Sequence, residues 1–142
     1  MRIMTRTLFF EVGLKLLLAA GLATALFMPA AAQAPGLAML DGLSAGQWEI
    51  RYRGSGVSER ICLRNGRQLI QLRHPGEKCT RVIVEDGSEQ VTVQYTCRGN
   101  GYGRTNIRKE TASLVQIDGQ GIVGTKHFEF TAEGRRIGTC GG

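Results

Sequence analysis

Four cysteines carry the clearest chemistry in this chain of 142 residues: Cys62, Cys79, Cys97 and Cys140. None of them forms the C-x-x-C spacing that is typical of redox catalysis. An even number of cysteines in a small exported domain predicts structural disulfides, and four cysteines allow three connectivities. We therefore expect the thiols to be joined in pairs and not to bind a metal or act as nucleophiles.

The residues between Cys79 and Cys97 favour one connectivity. Residues 82–84 and 91–95 are rich in β-branched and aromatic side chains, which predicts two strands, and Asp86-Gly87-Ser88 predicts the turn between them. Folding the chain back at that turn places Cys79 opposite Cys97. Opposed Cβ atoms in an antiparallel pair lie about 4.5–5.5 Å apart, close to the roughly 3.5–4.5 Å of a disulfide.

The remaining two cysteines then form the second bridge. Pairing Cys79 with Cys97 leaves Cys62 for Cys140, which ties an early strand to the C-terminal end of the chain. The alternative is Cys62 with Cys79 and Cys97 with Cys140.

A serine motif offers a second chemistry. Gly42-Leu43-Ser44-Ala45-Gly46 matches the G-x-S-x-G pattern of hydrolases, in which the serine lies on a sharp turn between a strand and a helix of a large α/β fold. Here a linker precedes the motif and a strand follows it. We therefore predict no catalytic residue and expect a protein that is not an enzyme, with a small hydrolase that uses Ser44 as the least favoured reading.

A basic stretch offers a candidate binding site. The glycine-rich residues 98–103 lack the spacing of a phosphate-binding loop and lead into a strand. Basic side chains surround them and form a candidate rim for an anionic ligand: Arg98, Arg104, Arg108 and Lys109. The alternative is an ordinary inter-strand loop with solvated charges.

The histidines and aromatic residues carry weaker signals. His74 and His127 stand far apart without the short spacing of metal ligands, so we expect no metal and no cofactor. Five aromatic residues could line a cavity for an apolar ligand, although the hydrophobic core is the favoured interpretation. They are Trp48, Tyr52, Tyr95, Phe128 and Phe130.

The N-terminus has the order of a secretory signal peptide: basic residues, an apolar run at 16–28, and small residues with A-x-A spacing at 30–34. The apolar run is shorter than the roughly 20 residues that span a bilayer. We predict a signal peptide over 1–32, cleaved near Ala32, a linker over 33–43, and a β domain over 44–142. A periplasmic protein with no stable membrane span after cleavage follows from this prediction.

Charge limits the partners. Residues 33–142 contain 15 Lys and Arg against 11 Asp and Glu, a mild basic excess. Nucleic acid is a poor partner for an exported protein. The expected partner is therefore an envelope protein or an apolar or anionic envelope ligand.

The elements that position these residues read as strands. Residues 46–53 alternate apolar and polar side chains, residues 57–63 return, and Asn65 can cap a short helix that ends at Leu72. After the hairpin 79–97 and a flexible loop at 98–103, a third hairpin is predicted with arms 104–117 and 122–131, a turn at Asp118-Gly119, and a break at Glu133-Gly134. The predicted fold is mainly β: an antiparallel meander of about six strands that forms a curved sheet, small barrel or sandwich, with one short helix, two disulfides and a separate N-terminal signal helix.

Several short motifs occur in a recognisable order. Gly46-x-Trp48-Glu49 opens the first strand, Cys62-Leu63 closes the second, the hairpin from Cys79 to Cys97 follows, and Gly138-Thr139-Cys140 ends the pattern. Over residues 43–140 the chain resembles a proteobacterial exported family known only as a domain of unknown function (family thirty-six seventeen). Such proteins often have Thr-Pro-Glu after Cys-Leu, where this chain has Arg64-Asn65-Gly66.

The resemblance implies an exported β domain and transfers no activity. The function expected from the sequence is a non-enzymatic role in the periplasm, either binding a ligand or protein or supporting the envelope. The alternative is an inhibitor of an exogenous enzyme such as lysozyme, with the loop at 98–104 entering the enzyme's cleft.

Overall fold

The structure is a computed structural model that describes residues 36–141. The predicted signal peptide and its helix lie outside the described residues. Seven strands make up most of the domain: β1 (Gly46–Tyr52), β2 (Ser58–Leu63), β3 (Cys79–Asp86), β4 (Gln90–Cys97), β5 (Gly101–Thr111), β6 (Leu114–Val123) and β7 (Lys126–Gly138). A short helix α1 (Ala38–Asp41) precedes them, and a 3₁₀ helix (Gly66–Gln71) lies between β2 and β3.

The strands form one antiparallel sheet in the order β2-β1-β7-β6-β5-β4-β3. Strands β3 to β7 are a meander, and the N-terminal hairpin joins it because β1 pairs with β7. The sheet is open, with β2 and β3 at its two edges. The prediction of a mainly β meander with two disulfides is confirmed, with seven strands in place of about six, and the described residues form neither a closed barrel nor a two-sheet sandwich.

The predicted turn at Asp118-Gly119 is wrong, because these residues lie inside β6 and the chain turns instead at 112–113 and 124–125. Gly119 pairs directly with Phe130, and a Cβ at Gly119 would lie 2.5 Å from the Phe130 ring. The glycine therefore makes room for a ring on the neighbouring strand and does not mark a turn.

The predicted break at Glu133-Gly134 is also wrong, since both residues lie inside β7. A Cβ at Gly134 would lie 3.0 Å from the Val115 side chain and 3.3 Å from that of Ile50. This glycine permits close packing between three neighbouring strands.

One face of the sheet, the inner face, carries the hydrophobic core. Leu37, Met39, Leu40 and Leu43 cover it from the N-terminal side, and the 3₁₀ helix covers it with Leu69 and Ile70; all six side chains are buried. Residues 33–43 were expected to be a linker, but from Leu37 onward the described part packs into the core. Burial of apolar side chains stabilises this segment by roughly 1.5–3 kcal/mol for each large one.

The start of the 3₁₀ helix follows the predicted capping box. The Asn65 side chain accepts a hydrogen bond from the Arg67 N–H at 2.7 Å, and the Gln68 side chain accepts one from the Asn65 N–H at 3.1 Å. Two backbone donors at the helix start are thereby satisfied, which fixes where the covering helix begins.

Both disulfides have the preferred connectivity. Cys79 and Cys97 are directly paired across β3 and β4, with their Cα atoms 4.2 Å apart. Cys62 at the edge strand β2 is joined to Cys140 beyond β7, with Cα atoms 5.4 Å apart. Among residues 36–141, no helix has the length and hydropathy to cross a membrane.

Replacing Gly119 tests the role assigned to it. We expect Gly119→Ala to lower the free energy of unfolding by about 1–3 kcal/mol, because the added methyl group would overlap the Phe130 ring. Urea unfolding followed by circular dichroism measures the change. Gly138→Ala is the matched control on β7, since a Cβ there meets nothing within 4 Å. Equal stability of Gly119→Ala and wild type would contradict the assignment.

Removing each disulfide separately tests their contributions. Their sequence separations are 78 and 18 residues. The chain-entropy model then predicts losses of about 4.5 kcal/mol for Cys62→Ala/Cys140→Ala and about 3 kcal/mol for Cys79→Ala/Cys97→Ala. Calorimetric unfolding of the two double variants decides the order, and a larger loss for the short loop would be the contrary result.

Candidate functional site

The second face of the sheet, the outer face, is polar and open to solvent. Along β5 the side chains alternate: Gly103, Thr105 and Ile107 are buried on the inner face, while Arg104 and Arg108 are exposed. This alternation is what a half-buried antiparallel strand requires. The outer face therefore displays whatever polar side chains the alternate positions supply.

A row of directly paired residues crosses the middle of this face. Gln94 on β4 pairs with Arg104 on β5, Arg104 pairs with Gln120 on β6, and Gln120 pairs with Glu129 on β7. Neighbouring strands lie about 4.8 Å apart, so the row extends over roughly 14 Å. Two adjoining shallow cavities of about 440 and 240 Å³ share Arg104, Gln120 and Glu129.

We call this depression the outer groove. Its polar lining, Tyr102 included, consists of Gln94, Tyr102, Arg104, Asn106, Asp118, Gln120, His127, Glu129 and Thr131, and Phe128 and Phe130 also border it.

Side chains beside the centre of the groove form hydrogen bonds with one another. Thr92 donates to Glu85 at 3.0 Å, Asn106 donates to Thr92 at 2.8 Å, and Thr131 donates to Asp118 at 2.8 Å. These groups stabilise the surface of the sheet, and much of their hydrogen-bonding capacity is already used.

The central groups differ from these neighbours. Six of the side chains that line the groove form no hydrogen bond and no ion pair with any other described residue: Gln94, Tyr102, Arg104, Gln120, His127 and Glu129. The groove thus presents one guanidinium, two amides, one imidazole, one phenol and one carboxylate whose donors and acceptors are available to a ligand.

The four basic residues of the predicted rim do not meet at one site. Arg98 is exposed in the turn between β4 and β5, and Arg108 shares the outer face but pairs with Glu110 at 3.2 Å. Lys109 has the opposite parity on β5 and its Nζ lies 3.5 Å from Glu89. Of the four, Arg104 alone lines the outer groove.

The five aromatic residues of the predicted cavity lie on the inner face. Trp48, Tyr52 and Tyr95 belong to the core, and Phe130 packs against it. Tyr52 and Phe130 meet edge to face with ring centroids 5.2 Å apart, and Phe128 stacks on Phe130 at 6.2 Å. Tyr52, Phe130 and Phe128 thus contact one another, and Trp48 and Tyr95 belong to the core, which favours packing as the role of these rings.

The two histidines lie in different environments. His74 is fully buried, with Nδ1 3.2 Å from the Tyr95 hydroxyl and Nε2 3.0 Å from the Asn100 carbonyl oxygen. A carbonyl only accepts, so Nε2 carries a proton. His127 is exposed in the outer groove. Because the two rings occupy opposite faces of the sheet, they do not form a pair of metal ligands.

A cluster of Glu77, Cys79 and Cys97 has ligand atoms close enough together to hold a cation. Both sulfur atoms belong to one disulfide, however, so neither can supply the thiolate that metal binding needs. The cluster is therefore a structural element.

Two further sequence features have structural roles. The Ser44 N–H donates to the Ala112 carbonyl at 2.8 Å, and the Ser44 carbonyl accepts from Trp48 Nε1 at 2.9 Å. Its hydroxyl makes no hydrogen bond to either histidine within the described residues. Among the described residues Ser44 therefore has no histidine as a general base, and it lies two residues before β1.

The loop expected at 98–103 is a tight turn of three residues, because β5 already begins at Gly101. Gly99 adopts a positive φ of 80°, and the Asn100 carbonyl accepts hydrogen bonds from the Gly124 N–H and His74, both at 3.0 Å. The flexible loop expected at 98–103 is therefore a tight turn held against the domain, and the inhibitor alternative stays a prediction.

Most groove residues were missed from the sequence: Gln94, Tyr102, Gln120, His127 and Glu129. The predicted turn at 118–119 split β6 and hid the fact that residues 116–122 alternate between the faces. If β6 is treated as one continuous strand and its alternate residues are assigned to the two faces, Gln120 falls on the same face as Arg104.

Comparison with protein families finds a match over most of the chain. A family model described as "Protein of unknown function (DUF3617)" matches residues 43–140. No curated protein and no solved structure matches the chain significantly.

Alkaline stability tests the packing behind the groove. Burial, together with the negative charge of Glu77, raises the pKa of Tyr95 to about 12. The folded state thus holds this proton more tightly than the unfolded chain, whose tyrosines ionise near pH 10. The stabilisation is complete below pH 10 and is lost as the pH rises towards 12.

We expect Tyr95→Phe to weaken the decline in unfolding free energy between pH 9 and about pH 11.5. Part of the decline should persist, because burial also raises the pKa of Tyr52. Urea unfolding at a series of pH values measures it, and an identical decline in both proteins would argue against a buried Tyr95 phenol.

Proposed function

The chain belongs to this family of proteins of unknown function, and from that premise we propose that it is a non-enzymatic periplasmic domain whose outer groove binds an acidic saccharide. The observation that carries the proposal is Arg104, which stands unpaired between two unpaired amide side chains at the centre of a solvent-open groove.

The cysteines support a location in an oxidising compartment. All four are joined in disulfides, which indicates an oxidising compartment of the extracellular type. The signal-peptide pattern in residues 1–32 supports export, and a periplasmic location agrees with both features.

The groups in the groove support the ligand class. A guanidinium binds a carboxylate through two parallel hydrogen bonds, which gives both energy and orientation. Gln94 and Gln120 each offer donors and an acceptor suited to hydroxyl and acetamido groups, and Glu129 can accept from hydroxyl groups. Tyr102, 48% exposed beside them, offers a ring face for the apolar side of a sugar.

The balance of charges argues against a simple polyanion. Glu129 and Asp118 also line the groove, so the single guanidinium is accompanied by two carboxylates. A ligand with one acid group and several neutral donors fits this arrangement better than one with closely spaced negative charges.

The openness of the groove supports binding without catalysis. The groove is shallow and faces water, whereas electrostatic stabilisation of a transition state is strongest in a site that excludes water. Disulfides, packed rings and paired polar side chains account for the cysteines, aromatic residues and histidine of the inner face. These features support a binding domain over a small hydrolase.

Two sugars that differ by one acid group test the proposal. N-acetylmuramic acid carries a carboxylate on a lactyl ether, and N-acetylglucosamine lacks that substituent. We expect the wild-type domain to bind N-acetylmuramic acid about tenfold more tightly, as a charge-assisted hydrogen bond at a partly screened site allows. Isothermal titration calorimetry at low salt gives both affinities.

Arg104→Ala should remove this preference and leave the two affinities within about twofold of each other. Arg108→Ala is the matched control, because it removes the same charge from the same face of β5 outside the groove. A preference that survives Arg104→Ala, or that Arg108→Ala also removes, would sink the assignment.

A further inference from the structure

A second groove lies on the inner side of the sheet, where its two open edges approach the 3₁₀ helix. We call it the edge groove; its volume is about 480 Å³. It is lined by Glu59 and Ile61 of β2, by Gln68 and Gln71 of the covering helix and its C-cap residue Leu72, by residues 75–77, and by Arg81 of β3. It shares no residue with the outer groove.

One wall of the edge groove is a strand with a free side. Within the described residues β2 pairs only with β1, in an unbroken register from Gly46–Leu63 to Arg51–Ser58. The other side of β2 therefore presents backbone N–H and C=O groups without strand partners, a template on which another extended chain can pair.

The opposite edge is less suited to pairing. β3 has a bulge between Ile83 and Glu85, and a bulge interrupts the regular spacing of donors and acceptors. Of the two edges, β2 is the one that can accept a continuous ladder.

The side chains of β2 in the groove define what would fit. Glu59 and Ile61 lie two residues apart and both line the groove, so an added strand would face them with alternate side chains. Ile61, Leu72 and Pro75 provide apolar surface. Val57, immediately before β2, is 56% exposed and extends that surface to the start of the strand.

The two carboxylates in the edge groove have no oppositely charged partner among the described residues. Glu59 accepts a hydrogen bond from the Tyr52 hydroxyl, and Glu77 accepts one from the Asn100 amide. Within residues 36–141 neither carboxylate has an ion-pair partner. Both carboxylates are therefore held in position by neutral hydrogen-bond donors. A cationic group on a ligand could form an ion pair with them.

The one cation in the groove is engaged elsewhere. The Arg81 guanidinium donates to the Gln71 side-chain oxygen, from Nε at 2.9 Å. Gln71 in turn is buried and donates to the Glu77 carbonyl at 3.2 Å. Arg81 thus supports the groove wall and forms no ion pair with either carboxylate.

We propose that β2 and the edge groove accept an extended peptide segment of a partner protein by strand addition. The segment places a basic residue opposite Glu59 and an apolar residue opposite Ile61, two positions apart. Main-chain hydrogen bonds to β2 supply affinity, and the two alternate side chains supply specificity. This site is independent of the saccharide proposed for the outer groove.

A symmetric peptide tests the proposal without assuming a strand direction. The probe is acetyl-Thr-Lys-Thr-Val-Thr-Lys-Thr-amide, which places Lys, Val and Lys on one face of an extended chain. Titration into ¹⁵N-labelled protein should shift the backbone amides of residues 57–63 and 68–72. The same peptide with Glu in place of Lys, and a version N-methylated at alternate residues, should bind at least tenfold more weakly.

Glu59→Gln separates charge from structure, because the amide oxygen can still accept the Tyr52 hydrogen bond. We expect this variant to bind the Lys peptide about tenfold more weakly. Glu110→Gln, an equal charge change at an exposed position on β5, should bind it like wild type.

Three results would overturn the proposal: no amide shifts at millimolar peptide, shifts confined to β3, or equal binding by Glu59→Gln and wild type. Arg104→Ala should bind the peptide unchanged, so that failure here and failure of saccharide binding are distinguished.

Discussion

The alternation of side chains across one antiparallel sheet is the constraint on which this structure depends. In this single sheet one face is covered, by residues 37–43 and the 3₁₀ helix. Most alternate residues of β4 to β7 then lie on the open outer face. The same register that buries Val93, Ile107 and Ile117 therefore assembles Gln94, Arg104 and Gln120 on the other side.

The inner face explains features that look functional in the sequence. Glycines at 103, 119 and 121 lie opposite aromatic residues on neighbouring strands, where the missing side chain leaves room for a ring. His74 completes the hydrogen bonding of Tyr95 and fixes the turn at Asn100. The disulfides hold one edge hairpin closed and tie the other edge to the end of the chain.

The parts of the fold that depend on local chemistry could be predicted from the sequence. Clean alternation marked β1, the capping box marked the 3₁₀ helix, and the hairpin spacing marked the pairing of Cys79 with Cys97. The turn at Asp118-Gly119 failed because an Asp-Gly pair has the same sequence signature in a tight turn as in a strand that packs against an aromatic ring. Only the position of Phe130 on the next strand distinguishes the two cases.

The site was predicted less well, because it depends on register across four strands and not on any motif. Arg104 was among the candidate residues, but its grouping with Arg98, Arg108 and Lys109 followed proximity in sequence. On β5, Lys109 has the opposite parity to Arg104 and so lies on the other face of the sheet, and Arg108 forms an ion pair with Glu110. The partners that define the groove lie on β4, β6 and β7.

The most direct measurement of the central claim is a map of where N-acetylmuramic acid contacts the domain. A titration followed by ¹⁵N–¹H correlation spectra reports every backbone amide and the amide groups of glutamine side chains. We expect the largest shifts to centre on Gln94, Arg104, Gln120 and Glu129 and the signals of the 3₁₀ helix to stay unchanged. Shifts centred on the inner face or the sheet edges, or none at all, would contradict it.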